Sequence, residues 1–222
     1  MIASFFRSVI PNSILHLLIL REYSSVILNF VNNNQDVKII AFVGLAGSGK
    51  SSAVEYLTEK GFPKIYFGGI MYKAMAEAGI RPGDWEPEQK FREELREKEG
   101  KGVIAKRAAE EARKLISAGQ NYIVFDGLYS WSEYKVLKHE FPEEMTIIAV
   151  VASKHLRYER MQNRPERPMT KEEIDERDWA EIENLEKGGP IAIADYFVNN
   201  DGDIASLHKH LDEILRQIEF IH

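Results

Sequence analysis

The stretch "GLAGSGKSS" at 44–52 carries residue types that together bind a polyphosphate. Gly44, Gly47 and Gly49 allow a tight turn whose successive backbone N–H groups point inward, with Leu45, Ala46 and Ser48 supplying amides between them. Lys50 is spaced to reach β- and γ-phosphates, and Ser51, with Ser52 beside it, stands where a hydroxyl ligates magnesium in the pattern G-x-x-x-x-G-K-[ST]. The bland alternative is a glycine-rich strand-to-helix turn with an accidental lysine. It is disfavoured because the apolar run "VKIIAFV" precedes the loop and a helical pattern follows it. The chemistry implied is binding of ATP with magnesium.

Two further groups belong to the same chemistry. "YIVFDG" ends an apolar strand on Asp126, which should emerge at the carboxyl edge of a sheet beside the loop and hold magnesium with Ser51. In "ASKHLRYERMQNRPERPMTKEEIDERD", Arg157, Arg160 and Arg164 share a helix face, and Pro165 and Pro168 force a stiff loop. Guanidinium groups that close over phosphates neutralise developing charge and exclude water. The competing reading is a solvated basic face paired with Glu159, Glu166, Glu172 and Glu173.

The elements that must position these groups follow from periodicity. Short apolar runs alternate with helical patterns from Val37 onward, the signature of a parallel sheet covered by helices. Strands are predicted at 37–43, 64–67, 122–126, 145–151 and 195–199. Helices are predicted near 49–60, 69–78, 102–118, 131–139, 153–163, 171–187 and 203–219. The rhythm is interrupted longest at 80–101, charged and bounded by Gly79 and Gly100, where an insertion arm is expected.

The chain has 222 residues, no cysteine and a formal charge of −6, which suits one globular domain and excludes a disulfide framework or thiolate metal site. The acidity argues against nucleic acid as a partner, and a reducing cytoplasm is the expected compartment. Residues 1–36 are apolar and nearly uncharged, yet Pro11, Asn12 and His16 interrupt any secretory signal and Arg21-Glu22 splits any membrane span. A non-core extension on a domain spanning 37–222, with no membrane partner, is therefore expected.

The order of loop, arm, "FDG", arginine-bearing helix and final "IADYFVNNDG" resembles the adenylate-kinase-like P-loop kinases over residues 37 to about 219. "LREKEGKGVIAKR" and "ERDWAEIENL…GGPIAIADYFVNNDG" look most like the dephospho-coenzyme A kinase branch and its relatives. The resemblance implies a P-loop NTPase three-layer sandwich, α/β in class, with a five-stranded parallel sheet, a helical lid at 157–172 and an acceptor-binding arm at 80–101. It also implies Asn200 and Gly202 beside the adenine ring, Arg160 and Arg164 over the phosphates as catalytic groups with Lys50 and Asp126, and Arg177 in the lid.

The sequence departs from that pattern on the acceptor side. Nucleoside monophosphate kinases resemble one another in an Asp and an Arg after the second strand, where "FGGIMYK" has Gly69 and Tyr72. They also carry an Arg after the strand-end Asp-Gly, where this chain has Tyr129, and the acidic base of dephospho-coenzyme A kinases has no visible counterpart. Candidates to bind a small-molecule acceptor are Tyr72, Lys73, Arg92, Arg96, Lys106 and Arg107, with Trp85 available for stacking. Arg92 and Arg96 also read as part of a solvated, glutamate-rich helix. Trp131 and Tyr134 read as packing residues. Three functions fit: a small-molecule kinase acting on a nucleotide, nucleoside or coenzyme-like acceptor, a slowly hydrolysing regulatory switch, and a nucleotide-binding module without turnover.

Overall fold

The computed structural model describes residues 37–81 and 85–221, without the side chains of Trp85, Glu86 and Gln89. The expectations for residues 1–36 and for stacking by Trp85 lie outside the described residues. Five strands, β1 (Lys38–Val43), β2 (Lys64–Tyr66), β3 (Tyr122–Asp126), β4 (Met145–Val151) and β5 (Tyr196–Asn199), form one sheet in the order β2-β3-β1-β4-β5. Every pairing is parallel.

Alternation along β1 explains the layers. Ile39, Ala41 and Val43 pack on one face with Phe67, Met75, Ala105, Ala108 and Leu137, from α2 (Phe67–Glu77), α4 (Val103–Ser117) and α5 (Trp131–Glu140). Ile40 and Phe42 pack on the other with Val54, Leu57, Leu207 and Leu211, from α1 (Lys50–Glu59) and α9 (Ile204–Gln217). Helices on both faces are why these strands read as continuous apolar runs rather than alternating ones. The architecture is the expected α/β sandwich on a five-stranded parallel sheet.

The remaining helices are α3 (Trp85–Glu99), α6 (Lys154–Asn163), α7 (Lys171–Glu183) and α8 (Gly188–Ala192). The interruption at 80–101 thus contains α3, which is seated by buried Leu95 and half-buried Phe91. Between α6 and α7 the chain leaves the helix at Arg164, whose extended backbone (ψ 144°) precedes Pro165 as the proline requires. It re-enters through a capping box in which Thr170 and Glu173 satisfy each other's backbone N–H groups.

Most boundaries fall within two residues of expectation, and two differences have a visible cause. The helix predicted at 171–187 ends at Glu183, because Glu186 takes a left-handed conformation (φ 54°) and Lys187 turns inward before α8 begins. Phe67, predicted to end a strand, opens α2 instead, where Gly68 and Gly69 leave room for the Tyr66 ring to lie against the helix start.

Candidate active site

β1 is central, with β3 and β4 on either side, and Phe42 pairs in register with Asp126. The loop after β1 and the carboxylate ending β3 therefore leave the sheet at the same carboxyl edge, where ligands bind in open α/β sheets. Lys50 Nζ lies 3.9 Å from Asp126 Oδ1, both side chains being mostly buried. Ser51 is exposed at the first turn of α1.

The loop geometry admits little but glycine at its turning points. Gly47 and Gly49 hold φ of +77° and +97°, and a Cβ at either would strike the Arg157 backbone or the Asn200 side chain. A Cβ at Gly44 would strike the Val150 carbonyl. The buried Ser48 hydroxyl has no hydrogen-bond partner. A glycine cradle that side chains would fill, at the N-terminus of α1 with a lysine and a carboxylate at its mouth, fits a magnesium-bound polyphosphate.

Several predicted site residues serve the loop's own carbonyls. Arg157 donates to Ala46 O at 2.9 Å and pairs through both guanidinium nitrogens with Asp178 of α7, at 2.9 and 2.5 Å. That Asp178 contact holds the Arg157 pKa above its usual value. Arg160 donates to Asn200 O at 2.8 Å and to Gly47 O at 3.5 Å. Asn200 Nδ2 donates to Ser48 O at 2.8 Å. Gly202 lies in the turn before α9, where a Cβ would meet the Ser206 side chain. Arg164 donates to Arg167 O at 2.6 Å, within its own turn. Tyr158, Met161 and Ile174 form a small apolar cluster between α6 and α7 against which Ala46 and Met169 pack, so this helix pair sits directly on the loop.

The structure adds residues that the sequence reading missed. Glu181 accepts from Ala46 N at 3.3 Å, from Arg177 Nε at 3.2 Å and from Lys187 Nζ at 2.8 Å. Burial works to raise the Glu181 pKa, but Lys187 and then Arg177 outweigh it and hold the carboxyl below its ordinary value. Burial pushes Lys187 below the usual lysine value despite Glu181. Their signal was faint: a Glu and a Lys six apart in "EIENLEK" look like a solvated helix end until the turn at Glu186 folds the lysine back.

Beyond Asp126 the wall is aromatic. Tyr66 pairs in register with Asp126, and the Tyr129 ring lies against Gly127, with Lys50 and Lys187 at 5.8 and 5.1 Å from its centroid. Burial drives the Tyr129 pKa well upward, so its hydroxyl stays protonated. Burial raises Tyr66 too, with Tyr72, Asp126 and the buried Glu88 of α3 adding to it. Tyr72 is near enough to Tyr66 for its charge to be felt but is exposed, as are Lys73 beside it on α2 and Lys106 on α4.

Arg107 is paired with Glu99 at 3.0 Å on the surface. Arg96 stands 4.0 Å from Glu133, the buried residue that completes the Ser130 capping box of α5, and its buried Nε has no partner; Arg92 is close enough to oppose its charge. A cavity of about 290 Å³ lined by Arg96, Lys101, Ser130, Ser132 and Glu186 opens there. Trp131 stacks on Tyr134 at 5.0 Å and covers Gly189, as packing residues do. The acceptor candidates are therefore spread over α2, α3 and α4 rather than gathered at one point.

This arrangement defines a P-loop protein, and comparison with known proteins agrees. A family model described as an AAA domain matches residues 40–183. A UPF0200 protein of Thermococcus kodakarensis is 34% identical over 187 residues, 81% of this chain and 100% of the relative. One from Sulfurisphaera tokodaii is 35% identical over 187 residues, covering 82% and 98%. The chain belongs to this UPF0200 family of AAA-type domains.

Solved structures share the fold. They include TT1252 from Thermus thermophilus (TM-score 0.60, 18% identity, 82% of this chain and 98% of that one) and a shikimate kinase from Bacteroides thetaiotaomicron (0.52, 11%, 82% and 98%). The resemblance to P-loop kinases holds at the level of the fold, while the relatives are UPF0200 proteins rather than dephospho-coenzyme A kinases specifically.

Proposed function

We propose that this protein is a magnesium-ATP-dependent phosphotransferase that moves the γ-phosphoryl group to a small nucleotide, nucleoside or coenzyme-like acceptor, and that it acts in the cytoplasm. The observation that carries this reading is the Lys50–Asp126 pair, 3.9 Å apart at the mouth of a glycine cradle on which an arginine-bearing helix pair rests. Bound magnesium-ATP supplies the phosphoryl group and its charge neutralisation. Lys50 and the amides of 44–51 grip the donor, Ser51 and Asp126 hold the metal, and Arg160 and Arg164 close the phosphate side. Arg157 keeps the loop in shape.

On the acceptor side, Tyr66 pairs in register with Asp126 and Tyr129 lies beside Lys50, and the Arg96 guanidinium at the edge of the neighbouring cavity supports an acceptor with an anionic group. Among the described residues no helix is long and apolar enough to cross a membrane. Shikimate kinase and gluconokinase folds among the structural neighbours support the kinase reading over a nucleotide-binding module. ADP release from magnesium-ATP, measured with and without dephospho-coenzyme A, nucleoside monophosphates and nucleosides, tests it. Stimulation by one acceptor is expected. A slow, acceptor-independent hydrolysis would instead favour a regulatory switch that reports to a protein partner.

A further inference from the structure

Lys187 and Glu181 are not needed to explain the fold. Lys187 is 2% exposed and Glu181 6% exposed, and they face each other where α7 ends above the phosphate loop. Burying an ion pair costs more desolvation than its attraction usually returns, and a packed apolar pair of similar volume would serve stability as well. The pair's location gives it another use. Glu181 presents carboxylate oxygens to the Ala46 amide and to two cations, Arg177 and Lys187. An anion on a loop N–H between converging cations is the bonding pattern that such a loop offers to a phosphate oxygen.

The second observation is the Tyr129 ring. Lys50 and Lys187 both lie within 6 Å of its centroid, and the two ammonium groups feel each other's charge. Lys50 is the group spaced to reach β- and γ-phosphates. A second lysine beside the same ring is therefore within reach of the same polyphosphate, on the side that the α6–α7 pair covers.

We propose that Glu181 holds the place of the donor's terminal phosphate on the loop, and that Lys187 and Arg177 are phosphate-binding residues handed from Glu181 to the triphosphate when it binds. The assignment rests on the reading of the loop as an ATP site. It predicts discrimination between nucleotides: the handover stabilises a triphosphate and does little for a diphosphate, whose charge stays with Lys50 and the loop amides. It also predicts opposite signs for the two partners, since removing the lysine weakens the triphosphate while neutralising the glutamate removes its competitor.

The test is titration calorimetry of the full chain with ADP and with the β,γ-imido analogue of ATP, both with magnesium, on wild type, Lys187→Met, Lys187→Arg and Glu181→Gln. Lys187→Met should lose on the order of tenfold in affinity for the triphosphate analogue and less than about twofold for ADP, with Lys187→Arg restoring most of the loss. Glu181→Gln should bind the triphosphate several-fold more tightly, about 1 kcal/mol. Equal losses for both nucleotides, or a weaker triphosphate complex in Glu181→Gln, would overturn the assignment and leave a purely structural pair. If Lys187→Met does not fold, the sign of the near-isosteric Glu181→Gln effect decides alone. Wild-type protein that binds neither nucleotide would overturn the ATP-site reading itself, a result distinct from either outcome above.

Discussion

The donor and acceptor sides of this site are built differently. Around the phosphate loop the carbonyls of Ala46, Gly47 and Ser48 are tied to Arg157, Arg160 and Asn200, and the Ala46 amide is tied to Glu181. Across the strand ends stand tyrosine rings and a cavity edged by Arg96. The loop is thus held from several elements at once, whereas the residues proposed for the acceptor are scattered over α2, α3 and α4. Phosphoryl transfer depends chiefly on positioning and electrostatics, so the proposed function assigns the general chemistry to the tied side and specificity to the loose side.

Substitutions can break this contrast. The largest effect is expected from Lys50→Ala, which should cost ADP production orders of magnitude while the circular dichroism spectrum stays that of a folded protein; retained turnover would remove the loop from the mechanism. Arg157→Ala comes next, leaving the nearly buried Asp178 carboxylate without its partner. Urea unfolding should show a loss of about 3–5 kcal/mol. A loss under 1 kcal/mol would mean that the loop does not depend on this clamp.

Smaller effects sharpen the acceptor side. The Arg107–Glu99 pair is about one-third exposed, so Arg107→Ala should change stability by less than about 1 kcal/mol. If the same variant abolished acceptor stimulation without touching ATP binding, Arg107 would move from the surface to the acceptor site. The smallest effect is one of pH. Glu181 has its carboxyl held below the ordinary value of 4.5, so its contribution to stability is complete above that pH and is lost as pH falls through the lowered folded value. Acid unfolding of Glu181→Gln should lack that part of the decline, and an unchanged acid limb would show that the ion pair contributes nothing there.

The contrast also explains what was legible in the sequence. The loop, its lysine and the strand-end Asp126 could be read because glycine spacing and an apolar run specify both a backbone conformation and its place at a sheet edge. The central strands β1, β3 and β4 were legible as short apolar runs buried on both faces, and the edge strands β2 and β5 as shorter runs with one buried core residue each, Ile65 and Val198. The roles of Asn200 and Arg157 were not, because hydrogen bonds to loop carbonyls span 152 and 111 residues and leave no local pattern. Lys187 was hidden by a wrong helix end: had 171–187 been one helix, nothing would turn that lysine inward, and it takes the left-handed Glu186 to do so. Glu88 looked like one more solvated glutamate of the arm, since its burial depends on how α3 seats on the domain.

ADP release from magnesium-ATP across a panel of dephospho-coenzyme A, ribo- and deoxyribonucleoside monophosphates, and nucleosides, with Lys50→Ala as the blank, decides whether the protein is a phosphotransferase. One acceptor should stimulate release in the wild type and none in the variant. Tight nucleotide binding with the same slow release whatever acceptor is present would contradict it.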